Sequence, residues 1–280
     1  MSLYVLPVLY TLFVWWFSTG LILYLDGLAR PSFRWSMAGA TVVLAGALFG
    51  LKASSADTSV TGAYVAFTSS VLVWGWLEMS FLMGFITGPW RAPCPAGCSG
   101  LLRFRYALRT ILHHEFALIV AAAIIFALTR GGDNPVGMWT FVILWAMRLS
   151  AKLNVFLGVR NLSEEFLPTH LRYLETFFAR KAMNPVLPVS VAVASIVAAI
   201  IWHRAGAPDA SAFEATGFTF LATLLTLAVV EHLFMVLPMP ATALWNWGLR
   251  SHVSGREAKR DAAPAELADI KESLRATPPA

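Results

Sequence analysis

Eight ionisable side chains interrupt otherwise apolar stretches of this sequence: Glu78, His113, His114, Glu115, Arg148, Lys152, Glu231 and His232. Such groups are costly in hydrocarbon and are expected to face the interior of a helical bundle. Their chemistry admits two readings. Glu78, Glu115 and Glu231 nearly balance Arg148 and Lys152, so the groups could simply pair and hold helices together. Arg148 and Lys152 lie four apart on one helix face and could jointly meet carboxylates from neighbouring helices. Alternatively, the same residues form a polar site that binds the carboxylates of an amphipathic ligand, relays protons or ligates a metal.

The weak metal candidates are His114, Glu231 and His232. A bundle di-iron site uses Glu-x-x-His spacing, which puts both ligands on one face. Here the pairs are His114-Glu115 and Glu231-His232, and adjacent helical residues diverge by about 100°. Axial ligation of a pigment or haem by His114 or His232 is a further option. His114 is expected to point inward more than His113, because Ala121 and Ala122 continue its face and permit close helix approach.

The elements that must position these groups are membrane spans. Hydrophobic residues make up 58% of the 280 positions and charged residues 13%, with a mean hydropathy of +0.65. A soluble domain would carry roughly 25% charged residues. Seven segments are apolar over about the 20 residues a spanning helix needs: Leu3–Leu25, Trp35–Leu51, Ser59–Ile86, Leu108–Thr129, Val136–Gly158, Pro185–Trp202 and Ala215–Leu237. The third is long enough to tilt or to bend near Gly75. Residues 1–25 carry no charge, so they lack the basic n-region of a signal peptide and read as a retained first span. The expected fold is all-α and polytopic, a bundle of about seven transmembrane helices over residues 1–249 followed by a charged tail, 250–280.

Orientation follows from the loops. Those after spans one, three and five, together with the tail, hold sixteen Lys and Arg residues; the opposite side holds only Lys52, Arg130 and Arg204. By the positive-inside rule the N-terminus is periplasmic and the C-terminus cytoplasmic. With basic residues placed between spans, the net charge of +5 does not call for nucleic acid. At 1.5 Å per residue, Glu78 then lies about 12 Å from the cytoplasmic end of its span, His114 and Glu231 about 9 Å, and Arg148 about 15 Å. Four helices thus deliver polar groups to one cytoplasmic-side layer.

Two cytoplasmic segments read as interfacial helices. Thr169 is placed to cap residues 169–181, with Leu171, Leu174 and Phe177/Phe178 as an apolar stripe; residues 239–249 follow the seventh span. The tail is expected to be mobile apart from a short helix near Ala265–Leu274. Cys94-Pro-Ala-Gly-Cys98 is two ligands short of a zinc site and reads as a pair of reduced loop thiols. No internal repeat is evident. Span seven has no lysine for a retinal Schiff base, and the phosphate-loop, HExxH and GxSxG motifs are absent.

Three stretches are distinctive: LFVWWFSTGLILYLDGL (12–28), WGWLEMSFLMGFITGPWRAPCPAGCSG (74–100) and WAMRLSAKLNVFLGVRNLSEEFLPTHLRYL (145–174). They resemble the PuhE family, photosynthetic complex assembly protein 2 of purple and related phototrophic bacteria, over about residues 10 to 240. The resemblance implies a multi-pass protein of the bacterial cytoplasmic (inner) membrane. It implies a role in assembling reaction-centre and light-harvesting complexes or in controlling bacteriochlorophyll supply. The implied partners are the lipid bilayer, complex subunits and pigment-synthesis proteins, with bacteriochlorophyll or a precursor as ligand. No catalytic residues come with the family, so a non-catalytic role is favoured. One alternative is an enzyme or a metal- or cofactor-dependent regulator of tetrapyrrole metabolism using Glu78, His114, Glu115, Glu231 and His232. Another is a transporter moving an anionic substrate past Arg148 and Lys152.

Overall fold

The computed structural model describes residues 2–238 and 241–251; the 265–274 helix expected in the tail lies outside them. Among the described residues, seven helices are long and apolar enough to cross a membrane: α1 (Ser2–Asp26), α2 (Phe33–Ser54), α3 (Val60–Leu82), α4 (Gly100–Thr129), α5 (Val136–Leu157), α6 (Val186–Ala205) and α7 (Ala212–Phe234). The protein is therefore an all-α polytopic membrane protein.

Local chemistry starts these helices. The Ser59 hydroxyl accepts from the Gly62 N–H at the head of α3. At α7, Ser211 and Glu214 form a reciprocal capping box. Helices α5 and α6 both begin after Asn-Pro-Val. The Asn134 Oδ1 accepts from the Val136 N–H while its Nδ2 donates to the carbonyls of Ser54, Asp57 and Gly62. Asn184 does the same on the other face, accepting from Val186 and Leu187 and donating to Asn154 and Gly158. Each proline lacks an N–H that the first helical turn could not have used.

Helices α3 and α7 form the centre, with 61% of their most apolar window buried against 11–17% for the other five. Their faces meet at the Phe67–Phe220 stack, ring centroids 4.4 Å apart. Around them α1 and α5 touch both central helices, α6 packs on α7, and α2 on α3. Between apolar helices in lipid, close van der Waals fit does the work that water exclusion does elsewhere. The hydroxyls of Thr219, Thr223 and Thr226 bond back to carbonyls four residues earlier, so α7 presents compact surfaces with no unmet polar group at those positions.

Several expectations require correction. Helix α3 ends at Leu82 rather than Ile86 and runs unbroken through Gly75. The chain turns instead at Gly84, whose φ of +82° is left-handed. Helix α4 starts at Gly100, two turns before Leu108, and carries Arg103 and Arg105 on the extension. Residues 169–181 form no α-helix capped by Thr169. Thr169–Phe177 is a 3-10 helix preceded by Pro168, with no side-chain cap. A period of three residues per turn puts Leu171, Leu174 and Phe177 on one face, and these three are buried. Residues 241–245 are likewise a 3-10 turn, followed by helical residues 246–251; Met239 and Pro240 lie outside the described residues. This segment packs onto α1 instead of lying free at an interface. A Cβ on Gly20 would stand 2.0 Å from the Trp247 ring, so that crossing requires glycine. Finally, Cys94 and Cys98 are joined by a disulfide. Gly97, at φ +75°, and the Cys98 N–H bond to the Pro95 carbonyl turn the chain so that the two thiols meet.

Candidate functional site

Every ionisable residue singled out within a span has a defined place in the bundle. Arg148 on α5 donates through Nη2 to Glu78 Oε2 on α3 at 2.9 Å. One turn further, Lys152 donates to Glu115 Oε1 on α4 at 2.6 Å. The four-residue spacing thus serves two different neighbouring helices. Glu78 is 10% exposed at its side chain, whereas Arg148 keeps 40%. Behind Glu78, His114 is fully buried and rests against Phe81, with ring centroids 4.8 Å apart. Its Nε2 stands 3.8 Å from Glu78 Oε1, beyond hydrogen-bond range. His113 is exposed.

On α7 the neighbouring pair splits, as a 100° step per residue requires. His232 turns toward α5, with its Nε2 2.9 Å from Ser150 Oγ on that helix and its Nδ1 2.8 Å from the Ala228 carbonyl one turn back on α7. A carbonyl only accepts, so Nδ1 carries the proton and Nε2 accepts from the Ser150 hydroxyl. Asn154 donates to Ser150 in turn, and Asn184 to Asn154. Glu231 turns toward α1, where its Oε1 accepts from the Trp15 indole N–H at 2.8 Å. It is exposed, and among the described residues it forms no ion pair.

Those side chains surround a cavity of about 460 Å³ lined by α1, α3, α4, α5 and α7. Glu78, Arg148, Lys152, Glu231 and His232 line it; His114 and Glu115 stand behind that wall. Toward the middle of the bundle the lining is apolar and aromatic, including Phe67, Val71, Trp74, Ile143 and Leu224. The end on the Arg-rich face is covered by Leu174, Phe177 and Trp245 from the two 3-10 segments, together with Phe166 from the short 3-10 turn Glu164–Phe166. Trp245 packs edge-on against Trp15 and Phe166. The 3-10 cover is pinned by Arg103, which donates to the carbonyls of Phe156 and Phe177, and by the Cys94 N–H bond to Thr176 Oγ1. His170 wedges this cover against Gly84 and Phe33. Its own burial, with Arg30 nearby, holds the imidazole below its usual pKa.

The weak metal candidates do not converge. His114 is behind Glu78, His232 is committed to Ser150, and Glu231 faces the cavity; no group of three His, Cys, Asp or Glu gathers among the described residues. Sequence reasoning missed Trp15, Ser150 and Asn154, and it read the two covering segments as interfacial helices rather than as a cover over the cavity. Asn154, fully buried inside a span, was legible as a costly polar group. A tryptophan donor looks from sequence like any interfacial anchor.

The family described as "Protein of unknown function (DUF3623)" matches residues 1–256. An uncharacterized 30.4 kDa protein in the puhA 5' region of Rhodobacter capsulatus is 40% identical over 266 residues, covering 94% of this chain and 97% of that protein. No solved structure matches.

Proposed function

We propose the following for this chain, which belongs to the DUF3623 family: it is a membrane factor that supports assembly of bacterial photosynthetic complexes or modulates bacteriochlorophyll supply, by holding a pigment or pigment precursor in its intramembrane cavity. The observation that carries this reading is the cavity itself. Its volume of about 460 Å³ falls within the ~300–1,000 Å³ of small-molecule sites. It offers an aromatic body region and a charged layer at one end, the shape of demand made by a flat, conjugated molecule with polar substituents. The relative's place in the puhA 5' region, a photosynthesis gene region, supports a photosynthetic context for this reading. On this reading the chain resides in the bacterial cytoplasmic membrane, and its partners are reaction-centre or light-harvesting subunits and pigment-synthesis proteins.

Purification from a phototrophic host in mild detergent tests this, with an absorption spectrum and partner identification on one sample. Co-purified tetrapyrrole, with complex subunits or pigment-synthesis proteins, is the expected result. Protein that carries neither chromophore nor such partners refutes the proposal.

A further inference from the structure

We infer that Glu231 is an axial ligand for the magnesium ion of a tetrapyrrole bound in the cavity, held in position by the Trp15 indole. This rests on the pigment-binding reading and adds the metal state that the cavity selects.

The inference begins with elimination among Lewis bases. His114 is fully buried and does not line the cavity. His232 lines it, but its Nε2 lone pair accepts the Ser150 hydroxyl and its Nδ1 proton is given to Ala228. Glu78 is held by Arg148, and Glu115 by Lys152 behind the wall. Glu231 alone among these groups lines the cavity as a carboxylate with no salt bridge among the described residues. An ionisable residue within a span is costly and marks a functional site by default.

The Trp15 bond engages Oε1 and fixes the plane of the carboxylate, leaving the Oε2 lone pairs for a second partner. An orienting hydrogen bond of this kind is what metal-ligating side chains require. Magnesium is a hard cation that prefers oxygen donors. Bound to the four ring nitrogens of a tetrapyrrole, it retains an open axial position. In the proposed step Oε2 donates an electron pair there, one Mg–O bond forms, and an axial water leaves; no redox change or proton transfer is needed. The ring's dianion balances the metal, so coordination gives Glu231 a Lewis-acid partner rather than a counter-charge and leaves the pairs of Arg148 and Lys152 undisturbed. Trp15, Phe67, Trp74 and Trp245 supply π faces around the same space.

The test compares magnesium protoporphyrin IX with metal-free protoporphyrin IX, which carry identical carboxylates, on full-length protein in nanodiscs with empty nanodiscs subtracted. The expected result is at least about tenfold tighter binding of the magnesium form. In Glu231→Gln that preference falls to parity and the Soret shift of the axially ligated magnesium form disappears. Trp15→Phe, which leaves the carboxylate but removes its orienting donor, retains the shift and loses part of the preference. Equal affinity of the two porphyrins for the wild type, or a preference that survives in Glu231→Gln, overturns the axial role while the cavity remains a pigment site. Failure of both porphyrins to bind the wild type defeats the pigment-binding reading itself.

Discussion

At the scale of single residues, the bundle treats its charges unequally. Glu78 and Arg148 depend on each other: Glu78 is 10% exposed and would be costly unpaired, while Arg148 at 40% keeps an open side toward the cavity. Breaking a fully buried pair costs about 3–5 kcal/mol. Because Arg148 is partly open, Glu78→Gln is expected to cost about 1–3 kcal/mol. The double variant Glu78→Gln/Arg148→Met should recover most of that loss. Unfolding midpoints in detergent check both, and a double variant no better than the single would show that the pair is not coupled. The asparagines before α5 and α6 carry a different load. Asn134→Ala leaves the carbonyls of Ser54, Asp57 and Gly62 without their shared donor and the Val136 N–H without its cap. A loss of about 1–3 kcal/mol is expected. Asn134→Asp, which keeps the cap but not the donor, should fall between; identical midpoints for all three proteins would refute that role.

At the scale of elements, the two 3-10 segments decide whether the cavity is closed. The Thr169–Phe177 segment is anchored by His170, whose pKa is lowered by burial and by Arg30. In the unfolded chain His170 binds protons near the ordinary value of about 6.5, but in place it resists them. The unfolded or undocked state therefore binds more protons, and acidification favours undocking. Lowering the pH from about 7.5 to 5.5 should raise hydrogen exchange in residues 167–178, and His170→Asn should flatten that dependence. Exchange insensitive to pH in the wild type would argue against the wedge. The other cover relies on Gly20. Gly20→Leu would drive the Trp247 ring from α1 and open the cavity beside Trp15. The measurable outcome is increased quenching of tryptophan fluorescence by acrylamide, together with a loss of porphyrin affinity; unchanged quenching would show that residues 245–251 do not depend on this crossing.

At the scale of the whole molecule, the Arg-rich loops and the cavity's covered end lie on one face of the bundle, and orientation in the membrane decides which compartment that end meets. The charge bias predicts that this face is cytoplasmic. Alkaline phosphatase inserted after Ala56 should be active, and the same enzyme fused after Ser251 inactive; the reverse pattern would invert the topology. The sequence alone sufficed for seven apolar helices, their order and the residues that would share a layer, because length, hydropathy and 1.5 Å of rise per residue are local quantities. It also placed His114 inward, since small residues on one helix face forecast close approach. It could not assign the partners within that layer. Which helix stands beside α5, and so whether Arg148 meets Glu78 or Glu231, is decided by the packing of seven helices at once. The 3-10 form of residues 169–177 belongs to the same class, because an apolar stripe at Leu171, Leu174 and Phe177 fits either period until a surface selects one. The cavity is tertiary throughout: it is the volume that α1, α3, α4, α5 and α7 leave unfilled, and Glu231 faces it only because Trp15, more than two hundred residues away in the chain, is the neighbour that the fold supplies.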